Sequence, residues 1–331
     1  MDPDLERRKC LAVLGGAILW PHGARAQRGE RVRRVGVLIY GRGDNRGSRA
    51  QADSLREGLQ ELDWFEGRNL KIEPRYNSDG ERIRAGAEEL VRSAPDVIVA
   101  NTNAATTALT QLTKAIPVVF AGVGDPVASG LVTSLNRPGG NATGITNLFF
   151  SLGGKWLELL KEIAPGVTRI AIMYNSELSA REDWFAPIEE AAPMFDVTLT
   201  RLPIRNLADT ESAIEPFAAE PNGALIIVPP GLVGADRDVT LRLARDRRLP
   251  AIYPARSYSI DGGLMPYGPD SADLFRQSAT YVDRILRGAK PGELPVQFPN
   301  RFELVINRGT AKSMGLAIPP MLIARADELI E

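Results

Sequence analysis

The sequence has almost no cysteine or histidine, with one residue of each among 331. Both of them, Cys10 and His22, lie in the stretch RRKCLAVLGGAILWPHGARAQ, residues 7–27. If this stretch is removed from the working protein, the remainder has no Ser-His-Asp triad, no cysteine nucleophile, no disulfide and no ordinary zinc site. Catalysis built on Asp, Glu, Lys, Ser or Tyr stays open on composition alone.

The chain also lacks an excess of either charge and lacks a long hydrophobic run. Its 40 Lys and Arg side chains nearly balance 41 Asp and Glu, which gives a formal net charge of −1. This balance leaves no basic surface for nucleic acid or for an anionic membrane. The apolar run at residues 11–20 is too short to span a bilayer, which needs about 20 residues, and no later run is long enough. We expect no nucleic-acid partner and no membrane-spanning segment.

Residues 7–27 have the three parts of a secretory signal. A basic head at residues 7–9 precedes the apolar run, and small residues at 24–26 follow the helix-breaking Pro21. The pattern predicts cleavage after Ala26 and export to the periplasm. The paired arginines of the basic head are similar to a twin-arginine signal, so the plain and the twin-arginine export routes both stay open.

From residue 35 onward, short apolar runs typical of buried strands alternate with the spacing of amphipathic helices. The predicted strands are 35–40, 70–76, 96–100, 117–120, 141–146, 169–174, 197–202, 224–228, 251–253 and 301–307. The predicted helices are 50–62, 80–91, 104–114, 127–135, 154–163, 181–194, 210–219, 235–245, 270–287 and 319–330. This alternation predicts an α/β fold with two parallel sheets, and right-handed crossovers would place helices on both faces of each sheet.

The pattern starts again near residue 154, so the chain has two similar α/β halves. A length of 331 residues fits two domains of common size. We expect two lobes around a cleft, and ligands of open parallel sheets bind beyond the carboxyl ends of the strands. The loops that follow the strands are therefore the candidate site.

The loop GRGDNRG, which begins at Gly41 after the first strand, is close to the dinucleotide-binding fingerprint G-x-G-x-x-G. Its third glycine comes one residue late, and bulky side chains stand where a cofactor backbone would have to approach. We interpret it as a cleft loop rich in turn residues rather than as a phosphate cradle, and we predict no cofactor.

Polar residues follow the third and fourth strands. Thr102 and Asn103 either cap the next helix or bind a carboxylate together with the N–H groups of its first turn. Gly124 lets the backbone approach a ligand closely. Asp125 either caps the next helix or holds a ligand ammonium group. The alternatives stay open for both loops.

Tyrosines and small residues end several strands of the second half. The candidates there are Tyr174, Asn175, Gly231, Tyr253 and Tyr267. Together the tyrosines would form a flat apolar wall of the cleft, although packing at the edge of the lobe is the simpler explanation for any one of them.

Three stretches carry a family resemblance: the signal at residues 7–27, the segment IPVVFAGVGDPVASGLVTSLNRPGGNATGIT at 116–146, and the segment 262–331. They resemble the ABC-transporter substrate-binding proteins often grouped with tryptophan- and tyrosine-binding proteins. The resemblance covers nearly the whole chain, and its D-P-V-x-x-G-L-V and N-R-P-G-G-N-x-T-G stretches are specific.

The resemblance implies a type I periplasmic-binding-protein fold with two Rossmann-like lobes and a three-segment hinge, near residues 147–152, 267–270 and 299–307. Lobe 1 would comprise 27–147 plus about 269–299, and lobe 2 would comprise 148–268 plus about 300–331. Such a protein closes on a small ligand, here an amino acid or an aromatic or aliphatic carboxylate. It delivers the ligand to an ABC permease in the inner membrane and is not an enzyme.

One loop departs from the family pattern. Members similar to the aromatic amino-acid binders tend to have an acidic or polar residue after the strand at 224–228, where this chain has Pro229-Pro230-Gly231-Leu232. An ammonium partner from the second lobe is therefore in doubt, and Asp125 remains as a candidate. A carboxylate ligand without an amino group fits the sequence as well.

Two other functions compete with solute transport. An exported nicotinamide-dependent oxidoreductase is disfavoured because the glycine loop is misspaced and no Tyr-x-x-x-Lys pair occurs. A ligand sensor that presents its closed form to a membrane kinase would have the same sequence features, so the sequence does not separate it from a transport protein.

Overall fold

The computed structural model describes residues 31–41, 43, 46–77, 80–147, 152–176, 182–228 and 234–331. The predicted signal peptide and its cleavage site lie outside these residues. The segment Arg33–Glu331 is one unit and contains two sheets. The predicted α/β class is confirmed.

The first sheet has five parallel strands in the order β2-β1-β3-β4-β5. The strands are β1 (Arg33–Tyr40), β2 (Leu70–Asn77), β3 (Val97–Ala100), β4 (Val118–Val123) and β5 (Ala142–Thr146). Their residues are apolar on both faces because helices cover both. Val37 and Ile39 of β1 pack under α1 (Arg46–Gln60) and α9 (Ser271–Leu286), whereas Leu38 packs under α2 (Gly80–Ser93) and α3 (Asn103–Leu112).

The second sheet has seven strands in the order β12-β11-β10-β9-β8-β6-β7. They are β6 (Arg169–Asn175), β7 (Thr198–Ile204), β8 (Gly223–Ile227), β9 (Ala251–Tyr253), β10 (Met265–Pro269), β11 (Phe302–Asn307) and β12 (Glu328–Ile330). The strands run parallel to their neighbours except at β10 and β11, which are antiparallel. The expectation of a fully parallel second sheet is wrong at this pair. The chain leaves the carboxyl end of β10 and comes back to the same edge of the sheet, where β11 begins, so the two strands run in opposite directions.

The other helices are α4 (Leu152–Ile163), α5 (Glu182–Ala191), α6 (Leu207–Ala218), α7 (Gly234–Asp246), α8 (Ser257–Ile260), α10 (Arg308–Met314) and α11 (Pro320–Arg325). One core of the second half surrounds Trp156 of α4, which is 1% exposed. The core on the opposite face surrounds Tyr253, which is buried to the same degree.

The chain passes between the two sheets three times. It leaves the first sheet after β5 and continues into α4, which packs on the second sheet. It leaves β10 for α9, which packs on the first sheet, and it returns from Gln297, bridged to Ile145, into β11. The Asp270 N–H donates to the Arg301 carbonyl oxygen at 3.3 Å, so the last two crossings lie side by side.

The helix predicted at 127–135 is wrong. Residues 126–130 form a turn, which begins where Asp125 Oδ1 accepts two of the following backbone N–H groups. Gly130 has a φ of 68°, and a right-handed helix cannot continue through a residue in this left-handed conformation. The apolar residues after it, Leu131 and Val132, are buried in the core of the first sheet without forming a helix.

The helix predicted at 319–330 is correct only for α11. Ala326 is extended, with φ −70° and ψ 131°. The next residue, Asp327, donates its N–H to the Leu304 carbonyl oxygen and accepts the Leu304 N–H on its carboxylate, both at 2.8 Å. This tertiary pairing draws the tail into the second sheet as β12. The short helices α8 and α10 were not predicted.

Candidate ligand-binding site

The loops after β1, β3, β4 and β5 meet at one edge of the first sheet, and Gly41 begins the loop after β1. Its N–H donates to the Asn77 carbonyl oxygen at 2.9 Å. Its φ is 145°, and a Cβ at this position would lie 2.2 Å from the Ser48 hydroxyl oxygen. A side chain at this position would strain the backbone and displace the Ser48 hydroxyl, so the position favours glycine. A contact between Gly41 and a ligand stays a prediction.

Thr102 connects β3 to α3 with a strained backbone. Its φ of 66° and ψ of 150° lie in a region that only glycine occupies readily. The Thr102 hydroxyl oxygen caps α3 by accepting the Ala105 N–H at 3.4 Å, and its carbonyl oxygen accepts the Thr106 hydroxyl at 2.9 Å. The predicted capping role is thus present, and backbone strain of this kind clusters at functional sites.

The side-chain amide of Asn103 hydrogen-bonds to the loop after β4 through both its nitrogen and its oxygen. Its Nδ2 donates to the Gly124 carbonyl oxygen at 2.8 Å and to the Ser129 hydroxyl oxygen at 2.6 Å. Its Oδ1 accepts the Gly124 N–H at 2.9 Å. Asn103 therefore positions Gly124, and through it the residue that follows.

Asp125 uses one carboxylate oxygen for structure. Oδ1 accepts the N–H groups of Val127 and Ala128 at 3.1 and 2.8 Å, which caps the turn at 126–130. Oδ2 has no hydrogen-bond partner among the described residues. Capping and ligand binding are therefore compatible in this side chain, because they use different oxygens.

Asn147, which follows β5 and lies beside Gly124, was not predicted as a site residue. Its N–H donates to the Val123 carbonyl oxygen at 2.8 Å. Its Oδ1 is buried and has no hydrogen-bond partner within the described part of the chain. A Cβ on Gly124 would lie 3.5 Å from this oxygen. The only sequence signal was its place after a strand, which many residues share.

Tyr40 and Asn101 were also missed. Asn101 Oδ1 accepts the Tyr40 N–H at 2.7 Å, and its Nδ2 donates to the Gln51 side chain at 3.3 Å. Asn101 thus holds β1 and α1, while Asn103 holds the loop after β4 on the other side of the strained Thr102. Tyr40 is 37% exposed at the end of β1.

For the candidate site residues of the second half, the structure shows fewer contacts with one another. Tyr174, the last residue but one of β6, is half-buried, with its ring edge-on to Phe185 at a centroid distance of 4.9 Å. Asn175 continues β6 and pairs with Ile204 of β7, and the structure describes its backbone alone. Gly231 lies outside the described residues. Ligand contacts by these three residues stay predictions.

Tyr253 and Tyr267 pack as structural residues. Tyr253 stacks on Tyr258 at 5.0 Å, and its burial raises the pKa of its hydroxyl far above the ordinary value. Tyr267 stacks on Phe302 at 6.1 Å, burial raises the pKa of its hydroxyl, and its carbonyl oxygen accepts the Trp156 indole N–H at 2.9 Å. Both tyrosines are thus packed against neighbouring rings, and ligand contacts by them stay predictions.

A family model described as ABC transporter substrate binding protein matches residues 35–330. The chain belongs to this family. A tyrosine-binding protein of Clostridioides difficile (strain R20291) is 25% identical over 261 residues, which are 78% of this chain and 75% of that protein.

Solved structures of related chains agree with the fold of this substrate-binding protein. A conserved domain protein from Vibrio cholerae is 29% identical, with a TM-score of 0.76 over 90% of this chain and 100% of the other. An ABC domain from Streptococcus pneumonia in complex with L-Trp is 22% identical, with the same TM-score over 90% and 99%. At 22% identity the second likeness shows the fold alone.

Within the described ranges, this substrate-binding protein has no group of three or more His, Cys, Asp or Glu side chains placed to hold a metal ion. Among the same residues, no helix is long and apolar enough to cross a membrane.

Proposed function

We propose that this substrate-binding protein is exported to the periplasm, closes two lobes on a small ligand and delivers it to an ABC permease in the inner membrane. Its lobes would comprise 27–147 plus about 269–299, and 148–268 plus about 300–331. Family membership and the three crossings between the sheets support this proposal. Catalysis is not part of it, since the relatives are solute-binding proteins.

The ligand that we propose is an amino acid, and the pair of oxygen acceptors beside Gly124 carries this choice. Asp125 Oδ2 and the buried Asn147 Oδ1 lack partners among the described residues. A buried acceptor without a donor costs about 1–3 kcal/mol. An ammonium group offers several donors and a positive charge, so it would satisfy both oxygens.

The carboxylate of the same ligand would bind at the start of α3. Thr102 caps one N–H group there, and the first N–H groups of any helix lack partners within the helix. These groups and the helix dipole favour an anion. The relative described as a tyrosine-binding protein supports an aromatic side chain on the ligand.

Ligand contacts with both lobes would favour the closed arrangement. A ligand shifts such an equilibrium only by the difference between its affinities for the two states. The contacts beside Gly124 belong to the first sheet, so the second half has to supply the others. Tyr174 and Asn175 at the end of β6, together with Gly231, are the residues that we propose for this role.

A thermal-shift screen of residues 27–331 tests the proposal. The probes are L-tyrosine, L-tryptophan and their deaminated acids, 3-(4-hydroxyphenyl)propionate and indole-3-propionate. A ligand that binds only the folded state stabilises it by about 2.7 kcal/mol at one hundred times its dissociation constant. We expect the amino acids to raise Tm by several degrees and the acids to have little effect. Equal shifts by an amino acid and its deaminated acid would contradict the ammonium site.

The variant Asp125→Asn sharpens this test. Asparagine keeps the oxygen that caps the turn and removes the charge that would face the ammonium group. We expect affinity for the amino acid to fall about tenfold or more while Tm without ligand changes little. Asp209→Asn, on α6 next to Arg205, is the matched control and should bind as the unaltered protein does. Protein unfolded and refolded before the screen shows whether a ligand from the host already fills the site.

A further inference from the structure

The pair of strands β10 and β11 in the second sheet, next to which the last two crossings lie, contains a buried acid. Glu303 of β11 lies directly opposite Gly268 of β10 and is 9% exposed. Residues paired in this way project to the same face of a sheet. A Cβ on Gly268 would lie 2.1 Å from the Pro254 carbonyl oxygen. The missing side chain therefore lets the loop after β9 approach this face, and that loop brings Arg256 next to Glu303.

Glu303 is poorly paired for a buried carboxylate. The nearest cation is Arg256, whose Nη1 lies 3.7 Å from Glu303 Oε2, beyond hydrogen-bond distance. Within the described ranges, the Glu303 carboxylate accepts no hydrogen bond. Arg256 also contacts Glu328 of β12, more closely than it contacts Glu303. One arginine is thus shared between two acids, and the buried acid has the weaker contact.

The charged groups around Glu303 are mostly acidic. They are Asp270 after β10, Arg301 before β11, Arg256 after β9, and Asp327 and Glu328 at β12. Arg301 lies 3.6 Å from Asp270 and so offsets that carboxylate. Burial, followed by the charge of Asp270, raises the pKa of Glu303 to about 7, and Arg256 opposes this shift.

We propose that Glu303 and Arg256 form a pH-dependent latch at the strands β10 and β11. The latch holds the crossing next to these strands closed when Glu303 is protonated, and it weakens when Glu303 is ionised. An ionised carboxylate at this position is largely desolvated and has no close donor, and opening of the crossing at residues 298–301 would let it reach water. A protonated carboxyl group loses much less by burial. The latch needs no bound ligand, so it stands or falls separately from the transport function.

The direction of the pH effect follows from linkage. The pKa of Glu303 is raised from 4.5 to about 7 in the folded protein. Its contribution to stability is therefore fully present below pH 4.5, declines as the pH rises toward 7, and is lost above 7. Gln at this position cannot ionise, so Glu303→Gln removes the dependence. Relative to this variant, the unfolding equilibrium constant of the unaltered protein should rise on the order of a hundredfold across this window.

The rate of limited trypsin cleavage measures how often the crossing near Arg301 opens. Arg301 is exposed in the crossing, and the product cut between Arg301 and Phe302 is quantified by mass spectrometry. The cleavage rate of the unaltered protein divided by that of Glu303→Gln cancels the pH dependence of trypsin itself. We expect this ratio to be about ten times larger at pH 8 than at pH 6, because opening lets the ionised carboxylate reach water. A ratio that does not change with pH would overturn the proposal.

Two further variants keep the test independent of one substitution. Glu73→Gln is the matched control, because burial raises the pKa of Glu73 but hydrogen bonds from Arg34 and Lys71 lower it overall. It should leave the cleavage profile between pH 6 and 8 unchanged. Arg256→Met removes the cation that opposes the Glu303 shift, so the midpoint of the profile should move upward. A midpoint unchanged in Arg256→Met would contradict the latch.

Discussion

The strand ends of the two sheets differ in how they use their polar groups. In the first sheet, Asn101, Asn103 and Asp125 hydrogen-bond to the backbone of neighbouring loops and so shape the edge of the sheet. In the second sheet, Tyr253 at the end of β9 is buried in one core, and Tyr267 inside β10 packs half-buried against the other. A position after a strand therefore does not by itself identify a site residue, because a side chain there can instead shape the loops or fill the core.

The tyrosine pair Tyr253 and Tyr40 gives the largest expected contrast. Tyr253→Ala removes a buried, stacked ring and should destabilise the protein by about 3–5 kcal/mol. Tyr40→Ala removes a ring that is 37% exposed at the edge of the first sheet and should change stability by about 0.5 kcal/mol or less. Urea unfolding of both variants measures the difference. Equal losses would show that the two tyrosines are both core residues.

The next contrast compares two asparagines that begin helices. Asn103→Ala removes three hydrogen bonds to Gly124 and Ser129, and we expect a loss of about 2 kcal/mol together with weaker amino-acid binding. Asn206→Ala removes only the N-cap of α6 and should cost about 1 kcal/mol without affecting binding. Denaturation and calorimetric titration with L-tyrosine measure both effects. Unchanged binding in Asn103→Ala would mean that the loop after β4 does not contact the ligand.

The smallest expected effect is a gain at Thr102. Thr102→Gly relieves a backbone strain on the order of 1–3 kcal/mol and weakens the N-cap by a few tenths. We therefore expect a net stabilisation of about 1 kcal/mol. Thr102→Ala keeps the strain and loses the cap, so it should destabilise by about the same amount. A loss of stability in both variants would show that the N-cap made by the Thr102 side chain contributes more to stability than the backbone strain takes away.

The sequence was most informative where burial alone decides the structure. The apolar runs of β1, β6 and β8 predict strands because a strand covered on both faces needs apolar residues at nearly every position. The predicted bounds of β9, 251–253, agree with Ala251–Tyr253. The strands predicted at 96–100 and 117–120 likewise place Thr102, Asn103, Gly124 and Asp125 at one edge of the first sheet.

Features set by partners distant in sequence were not predictable in this way. The helical pattern of the tail ends at Ala326 because Leu304 pairs with Asp327, and local sequence shows no trace of that partner. The turn after Asp125 ends at a glycine with positive φ, which helical periodicity alone does not reveal. Asn147 is a candidate because its buried oxygen lies near Gly124, and this placement depends on the pairing of β5 with β4.

The return segment of the chain also protects an edge of the first sheet. Gln297 donates its N–H to Gly144 and accepts the Thr146 N–H on its carbonyl oxygen, at 3.0 and 2.9 Å. Thr143 donates its hydroxyl to the Leu294 carbonyl oxygen at 2.6 Å. The outer edge of β5 is thus already occupied, and an unpaired strand edge is a template for aggregation with another chain. A change that detached this segment would expose β5 to pairing between molecules, and self-association would then accompany the loss of the crossing.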